Sequence, residues 1–265
     1  MATVITVTNQ KGGVGKTTTA VNLAYYLSKD KFKTLVIDFD PQGNATSGLG
    51  IEKSDLEKVY EQENTRGITM TEVMLGQNML KNIVQDTKYK NLYIAPVTPQ
   101  LANAEVELTK MNKKFVQLRD AINTVKDEYD FIIIDSPPSL SLLTVNGMIA
   151  SDYVLIPVQT EFYALEGVAQ LLDSIALVKK AMNPDLKLIG VLATMYDKRT
   201  SLSVQVLAEV KKYFKDKVFE TTIPRNVRVA EAPSHGVPIG AYDSWSKGAK
   251  AYKDLAKEVE ERVKK

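Results

Sequence analysis

The sequence predicts an α/β protein, built as a doubly wound, mostly parallel sheet flanked by helices. Three observations carry that expectation. Short, β-branched, almost wholly apolar runs alternate with longer stretches of helical spacing. The apolar runs lack the polar alternation of a half-solvated sheet, as strands covered on both faces do. A glycine-rich turn follows the first run directly, and loops at strand ends are where open α/β sheets bind ligands.

In chain order, residues 4–7, 34–37, 131–134, 154–158 and 188–193 read as strands, and residues 17–28, 115–126, 165–180, 203–214 and 247–264 as helices. Right-handed crossovers between such strands make the sheet parallel. The rhythm breaks over residues 51–89, which are rich in Glu, Lys, Asn and Gln. This stretch reads as an insertion on the same domain, with a short helix at 69–76. No internal repeat, long Pro/Gly linker or low-complexity tract divides the chain, so residues 1–265 are expected to form one domain.

Composition narrows the chemistry. With 44% hydrophobic and 25% charged residues in 265, the chain has ordinary globular makeup, which excludes disordered and collagen-like classes. The absence of Cys excludes a disulfide framework, a thiolate zinc site, an iron–sulfur cluster and a Cys nucleophile. The single His, His235, leaves no multi-histidine metal centre and makes a Ser-His-Asp triad hard to build. No apolar run approaches the ~20 residues that cross a bilayer, and the first residues lack a basic leader, so a soluble, cytoplasmic protein is expected.

The net charge of +2 argues against a uniformly basic nucleic-acid coat protein. That figure conceals a division. Residues 195–265 carry fifteen Lys and Arg against ten acids, a net +5, which leaves −3 on residues 1–194.

Between the first strand and the first helix stands Asn9-Gln10-Lys11-Gly12-Gly13-Val14-Gly15-Lys16-Thr17-Thr18. Strand, glycine-rich turn and helix are the context of a phosphate loop. The glycines let backbone N–H groups converge on phosphate oxygens, and the helix points its positive dipole end at the same anion. Lys16 would reach the β- and γ-phosphates and Thr17 would ligate magnesium. The general pattern G-x-x-x-x-G-K-[ST] fails at one place, where Gln10 replaces the first glycine, and a second lysine, Lys11, precedes Gly12.

Two strand ends supply acids. Val36-Ile37-Asp38-Phe39-Asp40 places Asp38 and Asp40 on one side, beyond the carboxyl end of its strand. Asp40 is the candidate for polarising the attacking water and for approaching the metal, with Asp38 in outer-shell support. Phe131-Ile132-Ile133-Ile134-Asp135 is an apolar strand ending in an acid, the arrangement in which Asp135 holds magnesium directly or through water.

The run Lys11-Gly12-Gly13-Val14-Gly15-Lys16-Thr17 resembles the signature of the deviant Walker A ATPases, the ParA/MinD class of P-loop NTPases. Asp38-Phe39-Asp40-Pro41-Gln42-Gly43-Asn44 and Ile223-Pro224-Arg225-Asn226-Val227-Arg228 resemble the chromosomal ParA (Soj) proteins in particular. The resemblance spans nearly the whole chain and is least specific over 51–89, which marks that stretch as family-variable.

It implies that Lys11 crosses a dimer interface to the partner's ATP, and that Pro224 and Asn226 lie near the adenine. It also implies that Arg199 and Arg228 contact DNA. An ATP-bound homodimer would then bind double-stranded DNA nonspecifically on the nucleoid, until hydrolysis stimulated by a ParB-type centromere-binding protein releases it. Chromosome or plasmid segregation, with an influence on replication initiation through DnaA, completes the expectation.

Physical reasoning adds Lys247, Lys250 and Lys253, which recur every three residues in a predicted helix and can share phosphate contacts. Rival readings are a MinD-like positioning ATPase at a membrane and a nucleotide-switched DNA-binding regulator. The first requires a bulky apolar face on the last helix. Leu255, Val259 and Val263, spaced by four, are expected to dock that helix on its own domain, so no stable membrane binding is expected.

Overall fold

The apolar runs assemble into one sheet. The computed structural model describes residues 1–61, 68–162, 164 and 166–264. Its strands are β1 (Thr3–Val7), β2 (Thr34–Asp38), β3 (Gln85–Asp86), β4 (Leu92–Ala95), β5 (Phe131–Asp135), β6 (Tyr153–Gln159) and β7 (Lys187–Thr194). They lie in the order β3-β4-β2-β5-β1-β6-β7. Every pair is parallel except β3 with β4.

Period-two geometry divides each strand between two layers. In β1, Ile5 and Val7 face one apolar cluster and Val4 the other. β2 and β5 are buried at every position, which is why they lack polar alternation. The expected strands all form, some longer than the sequence suggested.

The register matters for function. β5 lies between β1 and β2, with Val7 and Asp38 both opposite Asp135. The chain therefore leaves β1 toward β2 on one side and later returns to β6 on the other. The carboxyl ends of β1, β2 and β5 meet at that reversal, the crevice where such sheets take their ligands.

Helix Lys16–Lys29 begins at the phosphate loop, and helix Lys247–Val263 packs against it. Tyr252, Leu255 and Val259 of the last helix are buried and Val263 is half-buried against the same core. Arg262 closes the end of this packing by donating to the carbonyls of Ile189 at 2.9 Å and Val218 at 2.7 Å. Among the described residues no helix is long and apolar enough to cross a membrane.

Differences from the sequence reading have local causes. The helix expected at 115–126 is Gln117–Asn123 followed by a 3-10 turn at Lys126–Glu128. Val116 and Val125, β-branched residues with φ of −121° and −127°, stand outside it. The stretch 51–89, read as an insertion, includes part of the core. Met70, Met74, Leu80 and Ile83 are buried with Leu35 and Ile37 of β2, and residues 85–86 supply the antiparallel edge strand. The expected helix at 69–76 is Met70–Met74, started by a capping box in which Thr71 N–H donates to Thr69 Oγ1 and Thr69 N–H to Glu72. Residues 62–67 of that stretch lie outside the described residues.

Candidate nucleotide site and basic surface

The phosphate loop occupies the sheet's reversal point. Gly13 and Gly15 have φ of +75° and +88°, left-handed values that L side chains adopt at a cost. Gly12 and Gly13 border open space, since an added Cβ would meet nothing within 4 Å. Gly15 precedes the helix and no side chain caps its N-terminus, so the first amides are available to an anion. Val14 is buried, while Thr17 and Thr18 are half-buried at the start of the helix.

Two residues beyond the sequence candidates hold the loop in shape. Asn9 Nδ2 donates to the Pro157 carbonyl at 2.7 Å, and Asn9 Oδ1 accepts from Lys11 N–H at 3.0 Å. Thr194, the last residue of β7, donates its hydroxyl to the Val14 carbonyl at 2.8 Å. Their signal in the sequence is a polar residue just where an apolar strand ends, but such residues usually serve turns.

Lys16 is 7% exposed, and its Nζ donates to the Lys11 carbonyl at 3.0 Å. Burial lowers its pKa, and the charges of Asp135 and Asp40 oppose that shift. The Lys11 side chain makes no hydrogen bond or ion pair among the described residues. Its ammonium is available to a group outside its own loop.

Asp135 is fully buried, and neither carboxylate oxygen has a hydrogen-bond partner. Burial raises its pKa well above the ordinary range, Asp38 adds to the rise, and Thr17 and Lys16 act in the opposite direction. Buried unpaired carboxylates are costly unless a cation satisfies them. A Thr hydroxyl and carboxylate oxygens are the hard donors that magnesium takes. Thr17 and Asp135 supply two such donors, and no group of three or more His, Cys, Asp or Glu among the described residues could hold a metal alone.

Asp38 and Asp40 have separate surroundings. Asp38 Oδ2 accepts from Thr46 N–H and Thr46 Oγ1, each at 2.7 Å. Through these bonds it anchors the turn between β2 and the helix Asn44–Gly48. Asp40, in that turn and 7% exposed, accepts from Gln42 N–H at 3.0 Å through Oδ1. The short backbone of the turn thus presents Asp40 beside Lys16.

Burial pushes the Asp38 carboxyl up to about 7, against the pull of the Thr46 hydrogen bonds. An acid whose folded pKa lies above its unfolded value binds more protons when folded, so its stabilising contribution is complete below the unfolded pKa. That contribution is lost as pH rises toward the folded pKa. Asp38→Asn should therefore flatten the fall in melting temperature of the nucleotide-free protein between about pH 4 and pH 7. Thermal scans across that range check it; an unchanged pH profile would rule out a buried protonated Asp38. Asp135 retains its own dependence, so the slope shrinks without vanishing.

The remaining candidates separate into two places. Pro224 forms a parallel bridge with Tyr196, two residues past Thr194, and Asn226 Oδ1 accepts from Arg228 N–H at 2.9 Å to cap the helix Val227–Glu231. Both lie on the segment that returns to the loop-bearing end of β7. His235 stacks on Tyr242 with ring centroids 5.0 Å apart.

A groove of about 740 Å³ brings together Arg199, Lys247 and Lys250, joined by Lys198 and Arg225. Asp197 in its wall holds the Arg199 guanidinium at 2.7 Å, and that hydrogen bond keeps the Asp197 carboxyl below its usual range. Arg228 and Lys253 do not line this groove. Arg228 pairs with Glu231 at 3.1 Å and Asp243 at 3.7 Å, and Lys253 is exposed farther along the last helix. Helical rotation over six residues separates Lys253 from Lys247, so the three lysines share one helix without sharing one groove.

Comparisons with known proteins agree with this construction. A family model described as an AAA domain matches residues 2–188. The chain is 54% identical to the sporulation initiation inhibitor protein Soj of Bacillus subtilis, covering 98% of each chain. It is 45% identical to the chromosome-partitioning ATPase Soj of Treponema pallidum, over 95% of this chain and 94% of that one. The solved cobyrinic acid a,c-diamide synthase of Mycobacterium smegmatis, with bound ADP and magnesium, matches with a TM-score of 0.84 at 34% identity, covering 100% of this chain and 96% of that one. A two-lysine phosphate loop on this parallel sheet, in a chain alike over its length to these relatives, belongs to the Soj/ParA family of chromosome-partitioning ATPases, P-loop enzymes that hydrolyse ATP.

Proposed function

We propose that this chain is a nucleotide-switched DNA-binding ATPase that segregates a chromosome or plasmid. The observation that carries the reading is Asp135, a buried acid with two unpartnered oxygens beside the phosphate loop. Lys11, Gly12, Gly13, Val14, Gly15, Lys16, Thr17 and Thr18 would enclose the phosphates of ATP, with Pro224 and Asn226 toward the adenine. Thr17 and Asp135 would hold magnesium, with Asp40 near it. The ion, when bound, neutralises charge on the β- and γ-phosphates.

Within that enclosure the side chains divide the work. Lys16 exchanges its bond to the Lys11 carbonyl for phosphate oxygens. Asp40, held by the Gln42 amide, orients the attacking water and accepts its proton. Lys11, whose ammonium has no partner in its own chain among the described residues, reaches the phosphates bound by a second copy. ATP thereby couples hydrolysis to a homodimer.

Dimerisation doubles the number of cations that can face DNA. Arg199, Lys247 and Lys250 in the groove, with Arg228 and Lys253 outside it, would contact phosphates without reading bases. A ParB-type partner that stimulates hydrolysis would return the protein to monomers, and the cycle would run in the cytoplasm on the nucleoid. An influence on DnaA belongs to the same reading. The apolar residues of the last helix are occupied by its own domain, which favours DNA over a membrane as the surface bound.

Duplex DNA retention measured with ATP, ADP and no nucleotide at several salt concentrations tests this function. Retention with ATP alone, falling steeply with salt, is expected; equal retention in all three states would overturn the switch. For Lys11→Ala, ATP binding should stay within a few-fold while the ATP-dependent dimer disappears. A dimer in sedimentation velocity with ATP would remove the trans role of Lys11.

A further inference from the structure

The only tryptophan of the chain is also the most exposed large hydrophobic among the described residues. Trp245 is 96% exposed. Among the described residues its ring has no aromatic partner and its indole N–H no hydrogen bond. An apolar ring of this size is ordinarily placed where it can be covered.

Its backbone, by contrast, is well held. Trp245 N–H donates to Asp243 Oδ1 at 3.2 Å, and Ser246 Oγ donates to the Asp243 carbonyl at 2.8 Å. The same Ser246 Oγ caps the last helix by accepting from Ala249 N–H at 3.1 Å. The indole therefore stands on a rigid turn, which limits the entropy lost when it is covered.

Arg228 and Lys247 flank this turn. Asp243 is ion-paired with Arg228, whose guanidinium lies 5.9 Å from the Tyr242 ring centroid. Lys247, two residues beyond Trp245, lines the basic groove. Val227, beside Arg228, is 72% exposed. That groove holds five Lys and Arg against three acids, Asp197, Glu220 and Asp254, and beside the turn Arg228 engages Glu231 and Asp243. An apolar ring within a positive rim complements duplex DNA, whose deoxyribose faces and thymine methyls are apolar between two lines of phosphate.

We propose that Trp245 is the apolar contact of the DNA interface, packing its indole on the deoxyribose faces at the rim of a groove while Arg228 and Lys247 engage the flanking phosphates. The inference rests on the DNA-binding reading above. It supplies what the cations lack, an affinity component that salt does not screen. Counterion release sets the salt slope through phosphate contacts alone, so indole and cations have separable signatures.

Trp245→Ala should weaken binding of the ATP form to duplex DNA by about tenfold at every salt concentration, with an unchanged slope of log affinity against log salt. Trp245→Phe should recover much of the loss. Arg228→Ala should instead reduce the slope by about one. Because the chain has one tryptophan, selective excitation reads position 245 directly, and duplex added to the ATP form should quench its emission. Far-UV circular dichroism and ATP affinity of Trp245→Ala should match the wild type.

Wild-type affinity in Trp245→Ala would overturn the proposal. So would an emission change on ATP alone, which would assign the indole to the subunit interface, or on phosphatidylglycerol vesicles with none on duplex, which would assign it to a lipid surface. If the wild type with ATP fails to retain duplex at the lowest salt, the underlying DNA-binding reading fails instead.

Discussion

Lys16→Ala should lower ATP affinity by about 10² to 10³-fold and leave hydrolysis undetectable. The side chain is 7% exposed and enclosed by the loop that would receive the phosphates. Its charge lies near Asp135 and Asp40, so removal takes away a phosphate donor and leaves those acids facing the anion uncompensated. The fold should survive, because the Lys16 side chain bonds only to the carbonyl of Lys11 and Val14 remains tied to Thr194. Titration with a fluorescent ATP analogue reads the affinity, and a melting curve without nucleotide serves as control. Near-normal affinity would mean that the backbone amides alone hold the phosphates.

Asp40→Ala is expected to separate binding from chemistry. ATP affinity should change by a few-fold at most, while single-turnover phosphate release falls by about 10² to 10⁴-fold, the range for loss of a general base. The dimer would then persist on DNA. Asp40 also accepts from Gln42 N–H, so alanine loosens the turn as well as removing the carboxylate. Asp40→Asn keeps that acceptor and discriminates between the two effects. If Asp40→Asn releases phosphate at the wild-type rate, Asp40 serves the turn and some other group positions the water.

The two substitutions test acids and bases that come from distant parts of the chain. Lys16 follows β1, Asp40 follows β2 and Asp135 ends β5. Their proximity comes from β5 pairing with both other strands, which sets Val7 and Asp38 opposite Asp135. Burial raises the pKa of Asp38 and Asp135, and the neighbouring carboxylates add to it. A cation would offset the cost of ionising such buried acids, as a metal shared between protein and nucleotide does.

Much of this could be read along the chain. The five apolar runs were legible because strands covered on both faces need hydrophobic residues at consecutive positions. The phosphate loop was legible because its chemistry depends on glycines and lysines at adjacent positions. β4 was not, since Leu92 to Ala95 adjoins the polar stretch 51–89 and runs into Pro96 and Pro99. Nor was the burial of Met70, Met74 and Ile83, whose apolar residues are scattered among polar ones.

The sequence by itself determined the fold class, the loop and the identity of the strand-end acids, because each depends on residues within one short segment. Only the tertiary structure decided which acids are available. It gave Asp38 to Thr46 and Asp40 to the Gln42 amide, and left both oxygens of Asp135 without a partner. It also divided the basic residues, bringing Arg199 to Lys247 and Lys250 and setting Arg228 beside the exposed Trp245 turn. Hydrogen-bond partners and shared surfaces depend on packing between segments far apart in the chain, and local spacing holds no record of that packing.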